Sequence, residues 1–143
     1  MRCAMKSVVC AALLLFSQGF AESTTWEGEV NSNGTPTELI KLTLGKTYNI
    51  KVSGTVNTEK WHQGGAALGE DACFDFGDRV QPIPNELIKN SMGLDFCGDR
   101  LYHSDHIYES HAFVAKQNGI HFWVNDTDYS DNNGSFKIQV VEL

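Results

Sequence analysis

The chain has 143 residues, and its 11 Lys and Arg stand against 18 Asp and Glu, which gives a formal net charge of −7 at pH 7. Its hydrophobic content of 41% is sufficient for the core of one domain of this length. The acidic balance disfavours sequence-independent nucleic-acid binding, because contacts to phosphates require clustered Lys and Arg.

Residues 1–21 have the pattern of a secretory signal peptide. Two basic residues precede an apolar run from Val8 to Phe16, and small residues stand at the −3 and −1 positions of a cleavage after Ala21. The run is too short to span a bilayer. We therefore predict a secreted or periplasmic product, residues 22–143, that forms a single domain and does not insert into a membrane.

Cleavage would leave two cysteines, Cys73 and Cys97, in the mature domain. Two cysteines in an exported domain favour a disulfide, and closing a loop of this size stabilises a fold by about 3 kcal/mol. A pair of buried thiols is the alternative.

Strand-type alternation dominates the mature sequence. Thr47 to Ser53 alternates through Tyr48, Ile50 and Val52, and Ser135 to Val141 alternates in the same way. A further strand pattern covers Glu38 to Leu44. Short strands separated by turns predict an all-β fold, a β-sandwich.

Two local patterns refine this interpretation. Gln117-Asn118-Gly119 is a hairpin-type turn, and it predicts that residues 111–115 pair with residues 120–124. Residues 85–90, between Pro84 and Gly93, are the one segment for which a short helix is predicted.

The loop of residues 125–134 is rich in oxygen-bearing side chains and lies between two predicted strands. It contains three Asp and three Asn and no Lys or Arg. Crowded carboxylates repel one another unless a cation or solvent separates them, and oxygen ligands favour a hard cation such as Ca²⁺. The spacing is not that of an EF-hand. The alternative is an Asx-rich turn without metal, because Asp, Asn and Gly favour turns on conformational grounds.

Short motifs at both ends of the mature domain carry a family resemblance. They are Trp26-Glu27-Gly28-Glu29-Val30, Gly45, Gly54, Phe96-Cys97-Gly98, and Asn125-Asp126 followed by Tyr129 to Phe136 (YSDNNGSF). Together they resemble the PA-IL-like family of calcium-dependent galactophilic bacterial lectins. The resemblance implies a small jelly-roll β-sandwich of the galactose-binding type, in agreement with the strand pattern.

The resemblance also implies a calcium ion shared by protein and sugar. By position, Asp126 would be a carboxylate that both ligates calcium and accepts a hydrogen bond from the sugar, and Asp131 and Asn132 would be further side-chain ligands. Asp128 stands where the family uses a main-chain carbonyl, so its side chain is either an added ligand or directed to solvent. A further carbonyl ligand is expected from Asn57, shortly after Gly54.

The sugar contacts are less similar to those of the family. The family's His-Pro-x-Gln segment has no counterpart here, and His62 and Gln63 are the substitute candidates, with Thr127 and Asp128 beside Asp126. The neighbouring Trp61 would either stack on a sugar face or belong to the core. The loop is also two residues shorter than the family form, and Asp131 replaces the usual Asn.

Other functional classes are less well supported by the sequence. His103, His106 and His111 suggest a transition-metal cluster, but strand alternation separates them, so we expect exposed surface histidines. The acidic residues at Glu70, Asp71 and nearby positions are expected to form an acidic surface. No nucleophile motif such as G-x-S-x-G is present, and we expect no enzyme.

The sequence therefore predicts a secreted calcium-dependent lectin for galactose-type or related glycans. Oligomerisation is expected, because several weak sites held together raise avidity. The alternative function is a disulfide-bonded β-sandwich that binds a protein partner as an inhibitor, adhesin component or accessory subunit, with structural calcium or none. A lectin of this type should lose its sugar in EDTA, whereas a protein-binding sandwich should be indifferent to sugar.

Overall fold

The computed structural model describes residues 23–58, 69–77, 79–83 and 87–143, and these form twelve β-strands and one 3₁₀ helix, η1. The elements are β1 (Ser23–Asn31), β2 (Ile40–Lys41), β3 (Thr47–Ser53), β4 (Val56–Asn57), β5 (Phe74–Asp75), β6 (Gln81–Pro82), β7 (Ile88–Asn90), β8 (Ile107–Glu109), β9 (Phe113–Val114), β10 (Gly119–Ile120), β11 (Phe122–Val124), η1 (Tyr129–Asp131) and β12 (Asn133–Glu142). The predicted signal peptide and the segment containing Trp61, His62 and Gln63 lie outside the described residues. None of the described helical structure is long and apolar enough to cross a membrane.

One six-stranded antiparallel sheet forms the first layer of the fold. Its strand order is β1-β12-β3-β8, and β4 and β9 pair with β12 and β3 respectively. The strand predicted at Thr47–Ser53 is confirmed as β3, with Tyr48, Ile50 and Val52 buried as the alternation requires. The strand predicted near the C-terminus is confirmed as β12, which runs antiparallel to both β1 and β3.

The short strand pairs β2–β10 and β7–β11 supply the other side of the core. Their inward side chains join those of the six-stranded sheet in one hydrophobic cluster, and the Phe96 and Phe122 rings meet within it at 6.3 Å. The predicted all-β sandwich is therefore confirmed. In chain order, the loop of residues 125–134 follows β11 directly, and β12 begins at the end of that loop.

The predicted disulfide is confirmed as a bond between Cys73 and Cys97, whose Cα atoms lie 5.6 Å apart. Cys73 is buried and its partner packs against the core. The bond closes the segment that contains β5, β6 and β7. The disulfide therefore fixes both ends of this segment. Its strand β7 pairs with β11, which is followed directly by the 125–134 loop.

Three local predictions are wrong in detail. The 117–119 turn does not create a hairpin, because β9 pairs with β3 and β10 pairs with β2. The predicted helix is described from residue 87 onward, and its residues 88–90 form strand β7, in which Ile88 and Asn90 are buried and the residue between them is less so. The strand predicted over residues 38–44 is reduced to the two residues of β2, and Leu44 is 56% exposed.

Candidate functional site

The loop of residues 125–134, named the acidic loop below, is shaped by a single 3₁₀ turn. Asp128 has extended backbone dihedral angles (φ −139°, ψ 104°) and stands at the N-cap of η1. Its Oδ1 accepts hydrogen bonds from the Ser130 main-chain N–H at 3.0 Å and from the Ser130 hydroxyl at 2.6 Å. Because the Asp128 side chain caps the turn, we do not assign that side chain as a ligand. We retain instead the main-chain carbonyl at position 128, which is the ligand that the resemblance implies.

Tyr129 joins the beginning of the acidic loop to the end of β11. Its hydroxyl donates to the Val124 carbonyl at 3.1 Å and accepts from the Asp126 main-chain N–H at 3.1 Å. The ring lies against Gly34, where a Cβ atom would meet Tyr129 Cε1 at 2.6 Å. Gly34 has φ +84°, which L side chains rarely adopt, so two independent constraints require glycine there.

Three oxygen atoms of the acidic loop are buried and have no hydrogen-bond partner among the described residues. They are Asp126 Oδ2, Asp131 Oδ1 and Asn132 Oδ1. Leaving a buried acceptor unsatisfied costs about 1–3 kcal/mol, and buried polar atoms in folded proteins are otherwise almost always paired. All three belong to residues that the resemblance assigns to calcium, and carboxylate and amide oxygens are the donor type that a hard cation takes.

The orientation of the Asn132 side chain is fixed by a distant part of the chain. Its Nδ2 donates to the Ser32 carbonyl at 2.7 Å, and the Ser32 main-chain N–H donates to the Gly134 carbonyl at 3.1 Å. Since the amide nitrogen is committed to a carbonyl, Oδ1 is the atom that faces away from Ser32. The loop after β1 therefore fixes the orientation of the Asn132 amide and of its neutral Oδ1 atom.

Asn57 lies beside the acidic loop through strand pairing. In the register between β4 and β12, Asn57 is opposite Asn133 and Val56 is opposite Gly134. The predicted carbonyl ligand is thus brought next to the residue that follows Asn132. The position of Asn57 agrees with its predicted role, which remains a prediction.

The predicted site fits calcium better than zinc. In the described ranges, no three His, Cys, Asp or Glu side chains are grouped so that they could hold a metal ion by themselves, as a zinc site would require. The acidic loop offers two carboxylates and one amide oxygen, and main-chain carbonyls complete such a set only for an oxygen-binding cation. Two carboxylates also match the charge of a divalent ion.

The histidines at 103 and 106 are not the freely exposed side chains that the sequence predicts. His103 Nδ1 lies 2.7 Å from the Ile107 carbonyl oxygen, and its Nε2 lies 2.7 Å from Asp99 Oδ2. Both neighbours are acceptors, so both ring nitrogens donate when the ring is a cation. The hydrogen bond to Asp99, followed by that to the Ile107 carbonyl, raises the pKa of His103.

The pKa of Asp99 is lowered by the main-chain N–H of Leu101 first and by His103 second. When His103 is protonated, it therefore forms a surface ion pair with Asp99. His111, in contrast, is exposed as predicted.

His106 contacts a carboxylate whose burial the sequence did not predict. Asp71 is completely buried, where an exposed acidic surface was expected. Its Oδ2 accepts from the Tyr108 hydroxyl and lies against His106 Nδ1, each at 2.9 Å. Its Oδ1 accepts from the main-chain N–H groups of Cys73 and Phe74. Burial raises the pKa of Tyr108, and the network ties the disulfide segment to β8.

A cleft of about 400 Å³ lies beside His103 rather than at the acidic loop. Its lining includes Asp95, Asp99, Asp105, Glu109, His103 and His111. None of the unpartnered buried oxygens in the described residues belongs to this lining. The acidic loop is therefore the better candidate site.

A comparison with solved structures agrees with this fold. A solved structure of a protein called "EclA N-terminal domain; PllA-like lectin" superimposes with a TM-score of 0.50 at 16% sequence identity, over 84% of this chain and 98% of that chain. This chain therefore shares the β-sandwich fold of that protein. No family model and no curated protein matches the sequence.

Proposed function

We propose that this protein is a secreted, calcium-dependent lectin whose acidic loop binds glycans through a loop-bound calcium ion. The observation that carries the proposal is the set of three unpartnered buried oxygens on Asp126, Asp131 and Asn132. The fold shared with a protein that is named as a lectin supports it. The predicted signal peptide and the Cys73–Cys97 disulfide support export to an oxidising compartment.

Different residues would bind the calcium ion and the sugar, with Asp126 contacting both. Asp126 Oδ2, Asp131 Oδ1 and Asn132 Oδ1 would hold the ion, together with main-chain carbonyls at Asn57 and Asp128. When bound, calcium would supply open coordination positions for two adjacent sugar hydroxyls. Asp126 would also accept a hydrogen bond from one of those hydroxyls, which fixes the orientation of the sugar. The galactose-type preference, with contacts from His62, Gln63 and Thr127, is part of the proposal.

The proposed chemistry suits a neutral ligand. A neutral sugar offers few charged groups to recognise, and two vicinal hydroxyls held by one ion give an oriented contact that apolar packing does not provide. Single sites of this kind bind weakly, so we propose that the protein acts as an oligomer on glycoconjugates.

Retention on immobilised sugar tests the proposal. The protein is passed over galactose beads and over beads carrying other neutral glycans with vicinal hydroxyls, in calcium and then in EDTA. We expect retention on at least one glycan in calcium and release in EDTA. Sugar binding that is unchanged in EDTA, or no binding to any glycan in either buffer, would contradict it.

A matched pair of variants locates the site. Asp126→Ala removes one of the unpartnered oxygens, and we expect it to lose calcium and sugar binding together. Glu38→Ala removes an exposed carboxylate outside the acidic loop and should bind as the unsubstituted protein does. Retention of either ligand by Asp126→Ala would exclude the acidic loop as the site.

A further inference from the structure

A second buried acid, Glu70, contacts the strand that carries the predicted carbonyl ligand. Glu70 is only 4% exposed, although the sequence predicted an acidic surface residue. Its Oε2 accepts a hydrogen bond from the Thr58 main-chain N–H at 3.1 Å, and its Oε1 accepts from the Thr58 hydroxyl at 3.0 Å. Burying a carboxylate is costly unless such donors compensate for the lost water, so this arrangement is a specific one.

The main chain of Glu70 also holds β4 on the side opposite β12. The Val56 N–H donates to the Glu70 carbonyl at 2.8 Å, and the Glu70 N–H donates to the Val56 carbonyl at 2.9 Å. On its other side, Val56 is opposite Gly134 of β12. The residue before Asn57 is therefore fixed from both sides of the strand.

Asn57 thus lies between two anchored residues, with Val56 held by strand pairing and Thr58 held by the Glu70 side chain. A main-chain carbonyl has no side-chain rotamer to adjust, so its position depends entirely on the peptide units around it. Groups that orient a metal ligand without touching the metal change metal affinity by about 10–100-fold when they are removed.

We propose that Glu70 is a positioning residue for the calcium site, acting through Thr58 on the Asn57 carbonyl. This inference rests on the proposed function, because it assumes that calcium binds at the acidic loop. Glu70 sets the affinity for calcium through hydrogen-bond geometry, without contacting the ion.

The proposed role of the Glu70 side chain depends on its two oxygen atoms as hydrogen-bond acceptors and not on its negative charge. Glu70→Gln keeps one acceptor for the Thr58 N–H, and its amide can donate to the Thr58 hydroxyl, whereas Glu70→Ala removes both contacts. Geometric positioning therefore predicts that Gln restores what Ala loses. Attraction of the ion by a nearby negative charge predicts instead that the two variants are equally impaired.

The test is calorimetric titration of calcium into the EDTA-treated and desalted protein, at a temperature where every variant is folded. We expect Glu70→Ala to raise the dissociation constant for calcium by about tenfold or more. Glu70→Gln should lie within about threefold of the unsubstituted protein, and Thr58→Val, which removes one of the two hydrogen bonds, should lie between the Ala and Gln variants.

Tyr48→Phe controls for a loss of stability alone. The Tyr48 hydroxyl accepts from the Thr43 main-chain N–H at 2.9 Å, and Tyr48 pairs with Glu142 at the far end of β12 from Asn133. Its removal should lower the unfolding midpoint and leave the calcium dissociation constant unchanged. This readout separates positioning from a merely structural role.

Each outcome distinguishes the two claims. If the unsubstituted protein binds no calcium, the proposed function fails and the role of Glu70 fails with it. If the unsubstituted protein binds calcium and Glu70→Ala binds it equally well, the role of Glu70 is overturned while the proposed function stands. If Glu70→Ala does not fold, Thr58→Val decides, and an unchanged dissociation constant in that variant overturns the inference.

Discussion

The side-chain amide of Asn132 donates a 2.7 Å hydrogen bond to the main-chain carbonyl of Ser32, a residue one hundred positions earlier in the chain. Ser32 is itself buried and is paired with Gly134 through its main-chain N–H. The contact determines which end of the amide faces Ser32, and it leaves Oδ1 as a buried oxygen with no partner among the described residues.

Asn132→Asp should weaken calcium binding even though it adds a negative charge. A carboxylate oxygen in place of Nδ2 would face the Ser32 carbonyl, and two acceptors in contact repel each other. We expect the calcium dissociation constant, measured by calorimetry, to rise by about tenfold. The neighbouring Asp131→Asn is the matched control, because it removes a charge but keeps an oxygen ligand and should have the smaller effect. Tighter binding by Asn132→Asp would contradict this account of the Ser32 contact.

Tyr129→Phe should loosen the start of the acidic loop. It removes the hydroxyl that bonds both the Val124 carbonyl and the Asp126 N–H, so we expect a loss of about 1 kcal/mol or more in the free energy of unfolding. Calcium affinity should fall as well, because Asp126 loses the contact that fixes its main chain. Urea unfolding in EDTA and calcium titration measure the two effects. Tyr102→Phe serves as the control, and an effect on calcium affinity as large as that of Tyr129→Phe would argue against a specific role for Tyr129.

Gly34→Ala and Gly45→Ala form a matched pair. Both glycines have positive φ angles, +84° and +81°, so both substitutions introduce similar backbone strain of about 1–2 kcal/mol. A Cβ at Gly34 would also collide with the Tyr129 ring, whereas a Cβ at Gly45 has nothing within 4 Å. We expect Gly34→Ala to be the more destabilising by roughly 1 kcal/mol or more in urea unfolding. Equal losses would show that the ring does not rest on Gly34.

The pair of His103 and Asp99 makes a contribution to stability that depends on pH. Because the pKa of His103 is raised in the folded protein, its contribution is complete below the unfolded value near 6.5 and is lost as the pH rises through the folded value. Because the pKa of Asp99 is lowered, its contribution is present above the ordinary value near 3.8 and is lost as the pH falls through the lowered one. The pair is therefore most effective between these limits.

Two measurements test this window. The stability difference between the unsubstituted protein and His103→Gln, measured by urea unfolding, should be larger at pH 5.5 than at pH 9. An NMR titration should place the pKa of His103 above 6.5, and Asp99→Asn should lower it. A pKa of His103 that is unchanged in Asp99→Asn would contradict the hydrogen bond between them.

The sequence predicted those parts of the fold that are set by local periodicity. The alternation through Tyr48, Ile50 and Val52 decided which face of β3 is buried, because one face of this sheet packs on the core. The turn at 117–119 misled for the opposite reason. Its local preference was real, but the flanking residues found longer-range partners in β2 and β3, and tertiary pairing prevailed over turn chemistry.

For the candidate site, the sequence could predict which residues supply ligand oxygens but not which residues position them. Asp126, Asp131 and Asn132 stand close together in the chain, so their oxygens could be proposed from spacing and resemblance. The contacts of Ser32, Gly34 and Glu70 could not, because these residues approach the acidic loop and β4 only in the folded sheet. The burial of Glu70 and Asp71 depends on the neighbours that pack around them, and nothing in an acidic dipeptide distinguishes a buried pair from a solvated one.

The central claim is that calcium binds at the acidic loop, and thermal unfolding of the protein in calcium and in EDTA, each with and without galactose, tests it most directly. A ligand that binds only the folded state stabilises it by about 2.7 kcal/mol at one hundred times its dissociation constant, a shift of roughly 10 °C in the unfolding midpoint. We predict this shift with calcium, a further increase when galactose is added, and neither effect in Asp126→Ala. Identical midpoints in calcium and in EDTA, or a calcium shift that Asp126→Ala retains, would contradict the claim.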